Sequence, residues 1–181
     1  FYEEIGPKVK RESDFALGAQ FIRRAVLNAK PEKLVGESEI YSDIGYLLLE
    51  LVCENVDRPL CESWHTLPGH GRDALHFSPV TAAEPQVETY ASTEECPWRD
   101  VLLTGEVHDD NCWTMGGIAG HAGLFGTLDA VHNAGQLWLR AITESSGELG
   151  LSGALVQDCL DRKWMHAQGS RVLGWDTPSP G

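Results

Sequence analysis

Three groups of residues in this chain have side chains whose types and spacing could do chemistry. The first is Tyr41-Ser42-Asp43, which ends the loop from Gly36 and stands directly ahead of an apolar-periodic segment. A helix N-terminus carries partial positive charge, so a phenol just before one is biased towards its anion. A neighbouring ammonium would bias it further. Such a tyrosine can take a proton from a serine hydroxyl and return it to a leaving group. The same three residues also describe an ordinary half-buried tyrosine ahead of a helix.

The second group is Gly105-Glu106-Val107-His108-Asp109-Asp110-Asn111, with His121 further on. His108, Asp109, Asp110 and His121 are all metal-ligand types, and a metal-dependent hydrolase built on them is one reading. Adjacent residues rarely converge on one ion without a turn between them, however, and neither H-x-x-x-H nor H-E-x-x-H occurs. The expectation is that no metal is bound. His108 and Asp109 then structure their loop through hydrogen bonds to the backbone.

The third group runs Gly116-Gly117-Ile118-Ala119-Gly120-His121-Ala122-Gly123-Leu124-Phe125-Gly126-Thr127. Its glycines allow the backbone to approach a ligand or another element closely. It ends at a helix cap, so its amides could face an anion. The spacings of dinucleotide and P-loop motifs are absent, and nucleotide binding is not supported. A structural loop without a ligand fits the same residues.

These groups need elements to hold them, and five helices are legible. The first runs from Ser13, as N-cap, to about Ala29, with Phe15, Ala19, Ile22, Val26 and Ala29 at helical spacing and Pro31 beyond. The second follows Asp43 as N-cap, with Ile44, Leu47, Leu48, Leu51, Val52 and Val56 as its apolar face. Pro59 sits in the first turn of a short third helix carrying Leu60 and Trp64. Thr127 opens a fourth, with Val131, Ala134, Trp138 and Ile142 on one side. Ser152 opens a fifth, with Leu155, Val156, Cys159 and Leu160. From Pro68 to Gly126 the pattern weakens to a long irregular excursion with brief strands, of a kind usually kept for function. The fold class is therefore mainly α, with long loops and few short strands.

Composition narrows the partners. Fourteen basic residues against 27 acidic ones give a net charge of −13, which repels phosphate backbones, so nucleic acid is excluded as a partner. No run is long and apolar enough to span a bilayer. Cys53, Cys61, Cys96, Cys112 and Cys159 form no CxxC pair, which argues against a zinc site. Buried free thiols in a reduced compartment account for them, and a Cys96–Cys112 disulfide is the alternative.

Taken in order, these segments resemble the serine β-lactamases and penicillin-binding proteins, in particular a class C, esterase-like subgroup. Gly36, then Tyr41-Ser42-Asp43-Ile44-Gly45-Tyr46 and Leu47-Leu48-Leu49-Glu50, is similar to the family's second active-site element and following helix. There the pattern is Tyr-x-Asn, with Tyr-Ser-Asp as a variant. Gly105 to Asn111 and Gly116 to Thr127 are similar to a long subgroup signature, the most specific part of the match. Arg171-Val172-Leu173-Gly174-Trp175-Asp176 resembles the run before the last core strands.

The resemblance implies a serine nucleophile in Ser-x-x-Lys, a tyrosine acting with that lysine as general base, and a late Lys-Thr-Gly or His-x-Gly strand. It also implies an acyl-enzyme and an oxyanion hole of two backbone amides. No Ser or Thr here stands three residues before a Lys, and no Lys-Thr-Gly occurs. His121-Ala122-Gly123 has the third motif's form but lies inside the subgroup signature. Residues 1–181 are thus expected to be one partial domain, the helical subdomain between the nucleophile helix and the terminal strands of the α+β fold, and inactive alone. Tyr41 is the expected catalytic residue, with Ser42, Asp43, Gly120, His121 and Gly123 lining or supporting the cleft. No cofactor is implied. The substrate is a small ester, peptide or β-lactam-like molecule, and Asp43 in place of asparagine favours esters. The family is often exported, whereas the cysteines favour the cytoplasm. A non-catalytic helical interaction module is the remaining alternative.

Overall fold

The computed structural model describes residues 1–9, 12–66, 75–77, 90–166 and 169–178. Among them the chain is mainly α with few short strands, in agreement with its periodicity. It divides into two compact units, Phe1–Ala29 with Asp43–His65 and Leu75–Gly126, and Lys30–Ser42 with Thr66–Ala74 and Thr127–Gly181.

The first unit contains α1 (Tyr2–Ile5), α2 (Glu12–Asn28), α3 (Asp43–Val56), α4 (Leu60–Thr66) and α5 (Asp110–Thr114). Two antiparallel pairs accompany them. β1 (Leu75–Phe77) pairs with β4 (Leu124–Gly126), His76 opposite Phe125. β2 (Ser92–Cys96) pairs with β3 (Val101–Thr104), with a register shift between Ser92 and Glu95. Apolar spacing on α2 turns Ile22 and Val26 inward, where they meet Leu47 of α3 and Val107, Cys112, Met115 and Ala119. That cluster is the floor on which the glycine-rich segment lies.

The second unit is built on α6 (Leu128–Thr143), α7 (Gly153–Cys159) and the hairpin β5 (Arg171–Val172) to β6 (Trp175–Asp176). Thr127 and Ser152 cap the helices as their sequence positions predict, accepting from the amides of Ala130 and Leu155. Leu137, Ala141, Leu149 and Val156 form its core, and Trp138 meets Trp175 edge to face.

Several expectations shift. Asp43 is the first residue of α3 rather than its cap, Ser13 lies inside α2, which begins at Glu12, and Pro59 precedes α4, accepting from Glu62 and Ser63 through its carbonyl. On α3 the buried stripe is narrower than predicted: Leu47 and Glu50 are inside, while Leu48, Val52 and Val56 are exposed. Within this unit α3 packs on α2 and the glycine loop, and those two neighbours cover only one stripe. On α6 the buried face is Ala130, Leu137 and Ala141, and Val131 is outside. The stretch expected to be irregular carries four strands and α5 where it is described, and residues 67–74 and 78–89 of it lie outside the described residues. All five cysteines are free; Cys96 and Cys112 are buried, Cys53 is exposed, and Cys61 and Cys159 are half-buried.

Candidate functional site

Arg99 sets the loop that presents Asp109. Its side chain is only 4% exposed and its guanidinium lies about 5 Å from the rings of both Trp98 and Trp113 (5.1 and 5.2 Å). It donates to the carbonyls of Val107 (2.9 Å) and His108 (2.7 Å) and pairs with Asp110. Trp98 also donates to Asp110 (3.0 Å). With Asp110 engaged there, Asp109 is free to cap α5. Its Oδ1 accepts from the Cys112 amide (2.7 Å) and from His121 Nε2 (2.8 Å).

The glycine-rich segment lies against α3. A Cβ on Gly120 would stand 2.5 Å from the carbonyl oxygen of Tyr46 and 3.0 Å from Glu50 Cβ, so only glycine fits. Gly123 adopts φ +112° and would place a Cβ 2.3 Å from the Gly117 carbonyl. The Gly120 amide donates to Glu50 Oε2 (2.7 Å), and the other Glu50 oxygen accepts from Arg23 Nη2 (2.8 Å). The anion that the Gly120 amide faces is thus the protein's own. Glu50 has a side chain 2% exposed, and a carboxylate so buried requires this pairing.

Five of the sequence-predicted site residues, Asp43, Asp109, Gly120, His121 and Gly123, come together in the first unit. One ligand-type atom each from Asp43, Asp109 and His121 lies within 4.8 Å of the other two. Burial pushes the Asp109 carboxyl up, but hydrogen bonds from His121 and from the Cys112 amide outweigh it, and the group titrates below its ordinary range. Burial pushes His121 down, but the hydrogen bond and charge of Asp109, with the charges of Asp43 and Glu50, raise it overall. Burial, with Asp109 and Glu50 nearby, pushes the Cys112 thiol up, so this cysteine is no nucleophile.

The four-residue metal set read from the sequence does not converge. His108 turns outward to Glu94 (3.1 Å), and Asp110 is taken by Arg99 and Trp98. Beside His121 lies a cavity of about 600 Å³ in the same unit, bounded by Leu60, Trp64, Phe77, Val107, His121 and Leu124 among others. It is an apolar pocket with one polar corner.

Tyr41 and Ser42 belong with the second unit. The Tyr41 side chain is exposed (77%), with the Arg171 guanidinium 5.1 Å from its ring centre. Sequence reasoning missed Arg23, Glu50 and Arg99. Glu50 left a signal, an acid on the buried stripe of a helix. Arg23 left none, because its partners Glu50 and Glu54 lie far along the chain, and Arg99 left none, because its partners lie across the β2–β3 hairpin and the loop after it, at no helical or strand spacing.

No family model matches the chain, and no solved structure matches it. The proteins to which it is similar are named as carboxypeptidases, a class within the penicillin-binding-protein-like serine hydrolases. One, from Escherichia coli (strain K12), is named "Putative D-alanyl-D-alanine carboxypeptidase" and is 33% identical over 120 residues, covering 59% of this chain and 27% of that protein. Another of the same name, from Salmonella paratyphi B, is 31% identical over the same shares. The chain spans about a quarter of the length of the curated relatives it matches.

Proposed function

We propose that this chain is the helical region of a serine hydrolase that works through an acyl-enzyme. The observation that carries the reading is the likeness to proteins named as D-alanyl-D-alanine carboxypeptidases. It is supported by the segments Tyr41-Ser42-Asp43 and Gly116 to Thr127, of which the second carries His121, paired with Asp109. In this reading Tyr41 is the general base. It takes the proton from a serine Oγ as that oxygen attacks the substrate carbonyl, and hands it to the departing alcohol or amine. Water then cleaves the acyl-serine bond. The exposure of the Tyr41 ring suits a group that must meet another part of the enzyme.

The substrate is a small ester or a peptide, such as one ending in D-alanine. Asp43, where the family has asparagine, offers acceptors and no amide donor, which favours the ester. The 181 residues contain no Ser-x-x-Lys, so the chain by itself is inactive. A fluorophosphonate probe read by intact mass tests this. It should leave the 181-residue chain unmodified and add one adduct, on a Ser-x-x-Lys serine, to the protein at the length of its relatives. An adduct on a serine of these 181 residues would sink the proposal, and so would a full-length protein without a labelled serine.

A further inference from the structure

The glycine loop brings a buried histidine to the first residue of α3. His121 has a side chain only 4% exposed. Its Nε2 is held by Asp109 at 2.8 Å, and its Nδ1 is buried without a hydrogen-bond partner. The loop does not need this side chain for its anchorage. The Gly120–Glu50 bond and the reciprocal Ala119–Ala122 pairing already fix it.

The histidine's surroundings point elsewhere. Asp43 and Asp109 offer oxygens within 4.8 Å of each other and of the imidazole. Two carboxylates that close repel unless a cation sits with them. The groups facing His121 are Asp109 from the loop before α5, and Asp43 and Glu50 from α3. Arg23 of α2 is taken by Glu50 and Glu54, and Arg99 by Glu106 and Asp110. His121 is a cationic side chain with a ring nitrogen within 4.8 Å of an Asp43 oxygen.

We propose that His121 is a positioning residue for Asp43: clamped by Asp109, its charge keeps in place the carboxylate that opens α3, directly after Tyr41-Ser42 in the chain. The proposal rests on the serine-hydrolase reading above. When the imidazole loses its proton, the two carboxylates are left facing each other and Asp43 moves away. Turnover of a small ester then falls on the alkaline side. A histidine that only stapled the loop would affect stability and leave the pH profile in place.

The test uses the full-length protein and a p-nitrophenyl ester, with kcat and KM followed across the neutral range. His121→Gln should lower kcat on the order of 10²-fold, the scale of a misplaced catalytic group, with the alkaline limb abolished. Asp43→Asn in the His121→Gln background should restore much of kcat, because a neutral amide needs no cation beside it. The proposal is overturned if folded His121→Gln keeps the wild-type kcat and profile, or if Asp43→Asn rescues nothing. Should His121→Gln fail to fold, the imidazole titration of His121 followed by NMR decides. Asp43→Asn must lower its midpoint, and an unchanged midpoint overturns the proposal. A wild-type protein that no fluorophosphonate labels overturns the enzyme reading and the catalytic part of this one, while the titration still decides whether His121 and Asp43 are coupled.

Discussion

Gly120→Ala puts the packing of the glycine loop to the test. The added Cβ would stand 2.5 Å from the Tyr46 carbonyl oxygen, against 3.4 Å for the near edge of ordinary contact, so the loop must retreat by about 0.9 Å. That retreat stretches the 2.7 Å bond from the Gly120 amide to Glu50, whose carboxylate is buried. Overpacking of this kind costs about 1–3 kcal/mol, and weakening a hydrogen bond to a charged group costs about 1.5–3 kcal/mol. The lower chain entropy of alanine in the unfolded state returns about 0.4–1 kcal/mol. A net loss of about 1.5–5.5 kcal/mol is expected. Urea unfolding followed through the fluorescence of Trp98 and Trp113, both in the same unit, measures it. A change smaller than about 0.5 kcal/mol, the range of an inert surface substitution, would refute the claim that backbone contact with α3 dictates this glycine.

Gly135→Ala is the opposite case. Gly135 lies within α6 with nothing within 4 Å of an added Cβ, so alanine should stabilise by about 0.4–1 kcal/mol in the same unfolding experiment. Thr127→Ala removes the oxygen that accepts from the Ala130 amide (3.1 Å) at the start of α6, and should cost about 1 kcal/mol. The Asp109–His121 pair predicts a pH optimum for the first unit. His121 titrates higher when folded, so its contribution is complete below 6.5 and is lost as pH rises through the folded value. Asp109 titrates lower when folded, so its contribution is complete above 3.8 and is lost as pH falls through the folded value. Stability from the pair should therefore be full between 3.8 and 6.5, and His121→Gln should remove the alkaline decline in denaturant midpoint.

The helices were legible because their signals are local. Ile22 and Val26 on α2, and the Thr127 and Ser152 caps, declare themselves within a few residues. The two short helices that periodicity did not show, α1 and α5, have four and five residues and no room for a repeat. Faces were harder to place than helices, as Val52 and Val131 illustrate, because partners decide which apolar residues are covered. The site was legible as a list of residues and much less as an arrangement. Asp109 and His121 stand 12 positions apart and pair, whereas His108 and Asp110, flanking Asp109, turn to Glu94 and Arg99. Adjacent residues on an extended loop point different ways, and only the three-dimensional path selects among them. The Gly120–Glu50 bond spans 70 positions, a separation that no spacing rule reaches.

The central claim is that Tyr41 is the base of an acylating serine enzyme, and the rate of acylation measures it directly. In the full-length protein, stopped-flow reaction with a fluorescent penicillin or an activated ester gives that rate for the wild type and for Tyr41→Phe. Loss of the phenol should slow acylation by roughly 10²–10⁴-fold, the usual contribution of a general base, with the fold unchanged because the ring is exposed. Acylation at the wild-type rate in Tyr41→Phe would contradict the account.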